Sequence, residues 1–193
     1  MENILLIVIA YLLGSFPSAL VIGKLFYNKD IRNFGSGNLG STNAFRVLGK
    51  RGGTTVFILD ILKGGLAVLL PMLFNPTLHP LVIALFAAIG HIFPIFANFK
   101  GGKAVAVTAG ILLVFTPPIF LTLFIIFLVT LKLWKMVSLS STIISVVGIL
   151  IVFIGNYDMT TRIMFTLFGV LIIVKHIPNY KRILNGTENK VSF

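Results

Sequence analysis

The chain has 193 residues, 57% of them apolar and only 11% charged, with a mean hydropathy of +1.04. Soluble domains carry roughly 25% charged residues, so the composition excludes an ordinary water-soluble domain and points to a membrane protein. Sixteen Lys/Arg against five Asp/Glu give a net charge of +11; in so apolar a chain this reflects topology and anionic lipid, not nucleic acid. With no cysteine, disulfides, thiolate metal sites and an acyl-cysteine intermediate are excluded as well.

A membrane-crossing helix takes about 20 mostly apolar residues. Seven candidate spans follow in order: 4–26, 54–74, 78–97, 104–115, 118–133, 137–155 and 161–174. The first starts with Met1-Glu2-Asn3, which lacks the basic region of a signal peptide. Gly14-Ser15-Phe16 is a poor cleavage site, so this segment is expected to stay as a span. The fourth is short; with the fifth it could form one bent hairpin around Thr116-Pro117-Pro118, leaving six spans.

Charge sets the orientation. With the loop after the first span taken as cytoplasmic, fourteen of the sixteen Lys/Arg residues share that side. They lie between Lys24 and Arg51, at Lys100 and Lys103, at Lys132 and Lys135, and between Lys175 and Lys190. Arg162 alone falls outside, and Lys63 lies within the second span. The positive-inside rule then places the N-terminus outside and the C-terminus in the cytoplasm, which requires an odd number of spans. The expected fold is an all-α membrane protein: a seven-transmembrane-helix bundle forming one domain over residues 1–193. The outer connections (75–77, the Pro-Pro turn and 156–158) are too small to hold a site.

The polar chemistry gathers on the basic side. Arg32 to Gly53 is the longest polar passage, and Gly35, Gly37 and Gly40 let its backbone turn tightly and approach a ligand. Ser36, Asn38, Ser41, Thr42 and Asn43 supply uncharged donors, and Arg46 a planar fork suited to phosphate. Successive backbone N–H groups in such a turn form a concavity for anions, so the passage reads as a phosphate cradle. Gly35 to Gly40 spells G-x-G-x-x-G, but helix-length apolar segments flank it where a dinucleotide fold needs strands. A second close-approach backbone, Gly101-Gly102, lies beside Lys100 and Lys103; it is not a Walker A loop, since Ala104 stands in place of Ser/Thr.

Asp60 and Lys63 are three apart on one face of the second span, where isolated charges cost several kcal/mol; they read as a structural pair or as part of a polar cavity. His91, beside Pro94, is open to a packing or a ligand-binding role. His176 stands beside Lys175 and three residues before Asn179, which favours function. Ser138 and Ser141 open the sixth span, and Arg182 adds a cation near the end. With Glu2 and Asp158 on the outer side, no pair of carboxylates is available for acid/base work or a metal cage. What remains is anion binding by glycine backbone, hydroxyls, amides and cations, which suits substrates that bring their own activation. No cofactor is expected.

Three segments carry a resemblance: G-S-G-N-L-G-S-T-N-A-F-R (Gly35 to Arg46), G-H-I-F-P-I-F-A-N-F-K-G-G-K (Gly90 to Lys103), and V-S-L-S-S (Val137 to Ser141) with H-I-P-N and G-T-E (His176 to Asn179, Gly186 to Glu188). In this order they resemble the signatures of the bacterial acyl-phosphate-dependent glycerol-3-phosphate acyltransferases, over nearly the whole chain. The resemblance implies a seven-span protein of the bacterial cytoplasmic membrane with its active site on the cytoplasmic side. It implies transfer of an acyl group from acyl phosphate to the 1-hydroxyl of glycerol 3-phosphate, and a functional link to an enzyme that makes acyl phosphate. Carried over by position, it makes Ser36 and Arg46 catalytic and His176 and Asn179 functional. It assigns Gly101, Gly102 and Lys103, with Lys100, to the glycerol-phosphate site, and makes Glu188 structural. Ala104 and Val107 depart from the usual pattern, which has Gly and a small or hydroxyl residue there. The residues alone also admit a membrane anion transporter built on the same cradle, although the outer halves of the spans carry few polar residues to continue a path. A lipid-linked phosphatase lacks the acid or metal residues it would need.

Overall fold

A computed structural model describes residues 1–74 and 76–191. Asn75, expected in the first outer connection, lies outside the described residues. The described chain is helical: α1 (Glu2–Ser15), α2 (Ser18–Tyr27), α3 (Ser41–Phe74), α4 (Pro80–Ile92), α5 (Val105–Phe115), α6 (Pro117–Trp134), α7 (Val137–Ile154), α8 (Met159–Lys175) and α9 (Ile177–Leu184). Short 3₁₀ turns cover Ile31–Asn33 and Ile95–Ala97. The chain divides into two compact units, one spanning Met1–Phe115 and one beginning at Thr116.

In the first unit α1 packs on α4, and α3 packs on α5, α4 and α2. Lipid tails are as apolar as leucine, so helices in a bilayer associate mainly by close van der Waals fit between small residues. The α3–α5 contact is of that kind: a Cβ on Gly64 would strike the Val107 carbonyl, and one on Gly110 the Ile61 carbonyl. Two expectations change here. The first span is not one rod but α1 and α2, bent by 40° at Phe16-Pro17, because proline has no N–H to continue the ladder and disfavours helical backbone in the residue before it. The second span does not start at 54; α3 begins at Ser41 and runs 34 residues through the end of the polar passage, with a kink at Gly49 (φ 74°, ψ −173°).

In the second unit α7 packs on both α6 and α8, and α9 touches α8. Lys135, in left-handed backbone at φ 57°, closes α6. Asp158 caps α8: its carboxylate accepts from the Thr161 N–H at 2.9 Å and the Thr161 hydroxyl at 2.6 Å. The chain bends by 49° between α8 and α9.

Each of the seven predicted segments falls on a helix or a bent pair. Among the described residues four helices are long and apolar enough to cross a membrane, with α4 counted on through the turn at Ile95–Ala97, and the two bent pairs raise this to six. The remaining segment, α5, has 11 residues; at 1.5 Å per residue it covers about half of a hydrocarbon core roughly 30 Å thick.

Candidate functional site

The loop from α2 to α3 is held by its own side chains. The Asp30 carboxylate accepts from the Arg32 backbone N–H at 3.1 Å and from the Arg32 guanidinium at 2.9 and 2.6 Å. The Arg32 side-chain hydrogen bond outweighs the effect of burial and holds the Asp30 carboxyl well below the usual carboxylate range. Gly35 takes left-handed backbone (φ 61°), and a Cβ there would collide with Asn43. Asn43 is 1% exposed. Its Oδ1 accepts from the Ser36 N–H at 2.9 Å, and its Nδ2 donates to the Ile31 and Phe34 carbonyls at 3.4 and 3.1 Å. Asn43, expected among the phosphate donors, is therefore a strut inside the loop.

The cradle also differs from expectation. The N–H of Gly37 is spent on the Phe34 carbonyl at 3.0 Å, and that of Gly40 on Asn38 Oδ1 at 2.9 Å. With Ser36 N–H on Asn43, three of the backbone donors expected to face an anion are used internally. What the loop presents instead is side chains: Ser36 and Arg46 are exposed, and Ser41 and Thr42 are half-buried in the first turn of α3. That turn is also where a helix offers unpaired N–H groups and a positive end.

The second segment folds back along the end of α4. The Gly101 N–H donates to the Ile92 carbonyl at 3.2 Å and the Gly102 N–H to the His91 carbonyl at 2.9 Å. Asn98 (φ 52°), Phe99 (φ 58°) and Ala104 (φ 59°) all take left-handed backbone. For a non-glycine residue this costs roughly 1–2 kcal/mol, which explains why glycine suits position 104 better than the alanine present. Lys100 is exposed and Lys103 half-buried. The His91 ring lies over Gly102: a Cβ there would overlap Nε2. Beneath it, Asp60 Oδ1 pairs with Lys63 Nζ at 2.8 Å, accepts from the Ser18 hydroxyl at 2.9 Å, and lies 3.9 Å from His91 Nδ1. Lys63 Nζ also donates to the Phe16 carbonyl at 3.0 Å. Asp60 and Lys63 do form an ion pair, as their spacing suggested. Ser18 was not anticipated, since its distance from Asp60 in sequence hides the contact.

In the second unit Glu188 collects three donors. Its Oε1 accepts from Asn179 Nδ2 at 2.7 Å and Ser138 Oγ at 2.8 Å, and its Oε2 from Arg182 Nε at 2.8 Å. Burial opposes ionisation, but these hydrogen bonds and the Arg182 charge outweigh it, so the carboxyl titrates below the ordinary glutamate range. Ser138 and Arg182, expected to face substrate, are thus engaged with Glu188. The Ser141 hydroxyl is buried without a hydrogen-bond partner among the described residues. His176 is buried, with Nδ1 2.8 Å from the Ile172 carbonyl. A carbonyl only accepts, so Nδ1 carries the proton and Nε2 is the basic nitrogen of the neutral ring.

Comparison with known proteins gives a consistent result. The family model described as glycerol-3-phosphate acyltransferase matches residues 4–186. The glycerol-3-phosphate acyltransferase of Macrococcus caseolyticus is 48% identical over 193 residues, covering 100% of this chain and 99% of that protein. The Bacillus subtilis enzyme of the same name is 49% identical over 189 residues, covering 98% and 97%. Among solved structures, the glycerol 3-phosphate form of PlsY (YgiH), an integral membrane glycerol 3-phosphate acyltransferase, superposes with a TM-score of 0.94 at 36% identity, covering 100% of this chain and 96% of that one. Its lysophosphatidic acid form gives 0.91 at 34%, with the same coverage.

Proposed function

The chain belongs to the glycerol-3-phosphate acyltransferase family, and from that premise we propose that it moves an acyl group from acyl phosphate to the 1-hydroxyl of glycerol 3-phosphate. The products are 1-acylglycerol 3-phosphate, which is lysophosphatidic acid, and phosphate. The family match crosses the boundary between the two compact units, which supports treating residues 1–193 as one acyltransferase domain.

The observation that carries the choice of donor is the state of the carboxylates. Asp30 is bound to Arg32, Asp60 to Lys63, Asp158 to the start of α8, and Glu188 to Asn179, Ser138 and Arg182. Only Glu2, at the head of α1, is left. With every other carboxylate serving structure, none stands ready as a general base, and the chain has no cysteine to carry an acyl group. An acyl phosphate needs neither: it is a mixed anhydride whose leaving group is a stable anion.

The reaction is then a direct transfer. The glycerol 3-phosphate hydroxyl oxygen attacks the acyl carbon, the bond from that carbon to the phosphate oxygen breaks, and phosphate departs. The hydroxyl proton passes to a phosphate oxygen of the substrate or to His176 Nε2. Ser36 and Arg46 bind the phosphoryl group that leaves, and Gly101, Gly102, Lys103 and Lys100 the glycerol phosphate. Holding two reactants in contact supplies much of such an acceleration, and cations offset the repulsion of their phosphates. Asn179, its Nδ2 held by Glu188 at 2.7 Å, keeps the functional role that the resemblance gives it. An enzyme that makes acyl phosphate must supply the donor.

Purified protein in detergent, given acyl phosphate and glycerol 3-phosphate, is expected to release lysophosphatidic acid and phosphate in equal amounts. Product from a different acyl donor only would reject acyl phosphate, and labelled acyl-Ser36 in a rapid quench would reject direct transfer. Turnover without any membrane compartment also removes the transporter reading, which the family match disfavours. The topology proposed for the bacterial cytoplasmic membrane is seven crossings with the N-terminus outside and the site facing the cytoplasm. The cysteine-free chain makes this testable: a cysteine at Thr187 should react from the cytoplasmic side only, and one at Asp158 from the outside only.

A further inference from the structure

The pair Asp60–Lys63 sits in the apolar part of α3, with Asp60 1% exposed. Replacing a buried ion pair by apolar residues of similar volume is often neutral or stabilising, so its presence is not explained by stability. Its contacts suggest what it does. From one position Asp60 Oδ1 reaches Ser18, the second residue after the α1–α2 break at Phe16, and Lys63, which holds the Phe16 carbonyl at that break. The same oxygen faces His91 Nδ1 on α4 at 3.9 Å. The other edge of that imidazole covers Gly102, whose N–H is held by the His91 carbonyl at 2.9 Å. Carboxylate, imidazole and glycine turn thus form one continuous stack, and Lys103 is the next residue.

We propose that Asp60 is a positioning residue: acting through the His91 ring, it fixes the Gly101-Gly102-Lys103 turn in the orientation that receives the phosphate of glycerol 3-phosphate. The inference rests on reading this turn as the glycerol-phosphate site. At 3.9 Å the carboxylate makes no hydrogen bond with Nδ1, but its negative charge favours the ring orientation that turns an N–H toward it, and that orientation lays the opposite edge of the ring against Gly102. Asparagine at 60 keeps the shape but loses the charge that faces the ring. Gly102 itself tolerates no side chain here, which ties the turn to the ring more firmly than its two backbone hydrogen bonds alone.

The test compares wild type, D60N and D60N/K63M by thermal midpoint, kcat and KM for glycerol 3-phosphate in detergent. The double variant removes both charges with little change in volume and leaves no unpaired buried charge, so its midpoint is expected to fall less than that of Lys63→Met alone. Its KM is expected to rise at least about tenfold while kcat changes less than about threefold, the pattern of lost substrate positioning shared by ground and transition states. A merely structural pair would lower the midpoint or the yield of D60N and leave KM untouched in folded protein. A folded D60N/K63M with wild-type KM overturns the proposal. Should neither variant fold, ¹⁵N-histidine spectra of the wild type decide, with His91 assigned by loss of its signal in H91Q. Saturating glycerol 3-phosphate is expected to shift that signal, and an unmoved one overturns the proposal. A wild type that does not acylate glycerol 3-phosphate overturns both this inference and the family-based reading, whereas active enzyme with an unmoved KM overturns this one alone.

Discussion

The two compact units hold their polar residues by different means. In the first, loops are shaped by left-handed residues at Gly35, Asn98, Phe99 and Ala104, by the Asn43 amide as an internal strut and by the Asp30–Arg32 pair, with a further ion pair inside the helices. In the second, a single carboxylate does the gathering: Glu188 bonds Ser138, Asn179 and Arg182 near the end of the chain. The contrast tells where each unit is vulnerable. The first should be sensitive to unpaired buried charge and to backbone torsion, the second to the loss of one carboxylate.

The largest expected effect strikes the first unit. Lys63→Met leaves the Asp60 carboxylate buried without its cation and should cost about 3–5 kcal/mol, read as a drop in thermal midpoint in detergent. Next comes Arg46→Lys, which keeps the charge but loses the planar fork. A lost bidentate, charge-assisted contact removes roughly 1.5–3 kcal/mol, so kcat/KM should fall by well over tenfold. Near-normal turnover would mean that no guanidinium grips a phosphoryl group there.

The second unit gives a milder and pH-dependent result. Glu188→Gln should cost about 1–2 kcal/mol, because an amide nitrogen then faces the Arg182 guanidinium. The sign with pH follows from the lowered folded-state value of Glu188. Its stabilisation is fully present above the ordinary glutamate value and is lost as pH falls through the lower folded one. Thermal midpoints of the wild type should therefore decline in that acidic window more steeply than those of the Gln variant. Parallel curves would place the acid sensitivity elsewhere. The smallest effect is Ala104→Gly: relief of left-handed strain, set against the greater freedom of unfolded glycine, should raise stability by under about 1 kcal/mol. A loss would mean that the alanine methyl group packs usefully.

Much of this was legible in the sequence, and the exceptions have identifiable causes. Hydropathy located seven helical segments because apolar runs of this length have few other outcomes. It did not show the bend at Pro17, since a window average is blind to one missing N–H. The i, i+3 spacing of Asp60 and Lys63 announced their pairing, but Ser18 and His91 join them through packing that no local pattern encodes. Asn43 was misjudged for a different reason: an amide offers the same donors to a ligand as to its own loop, and only the fold decides. The polar stretch from Ser41 to Gly53 read as loop because its glycines and hydroxyls are poor helix formers, yet it forms the first turns of α3.

Gly49 has a consequence of its own. At φ 74° and ψ −173° it occupies backbone space essentially closed to residues with a side chain, although the volume around it is empty, with nothing within 4 Å of a hypothetical methyl group. Any replacement there would be resisted by torsion alone and not by collision. The heading of the short helical arm that carries Arg46 therefore hinges on a hydrogen atom where every other amino acid has carbon.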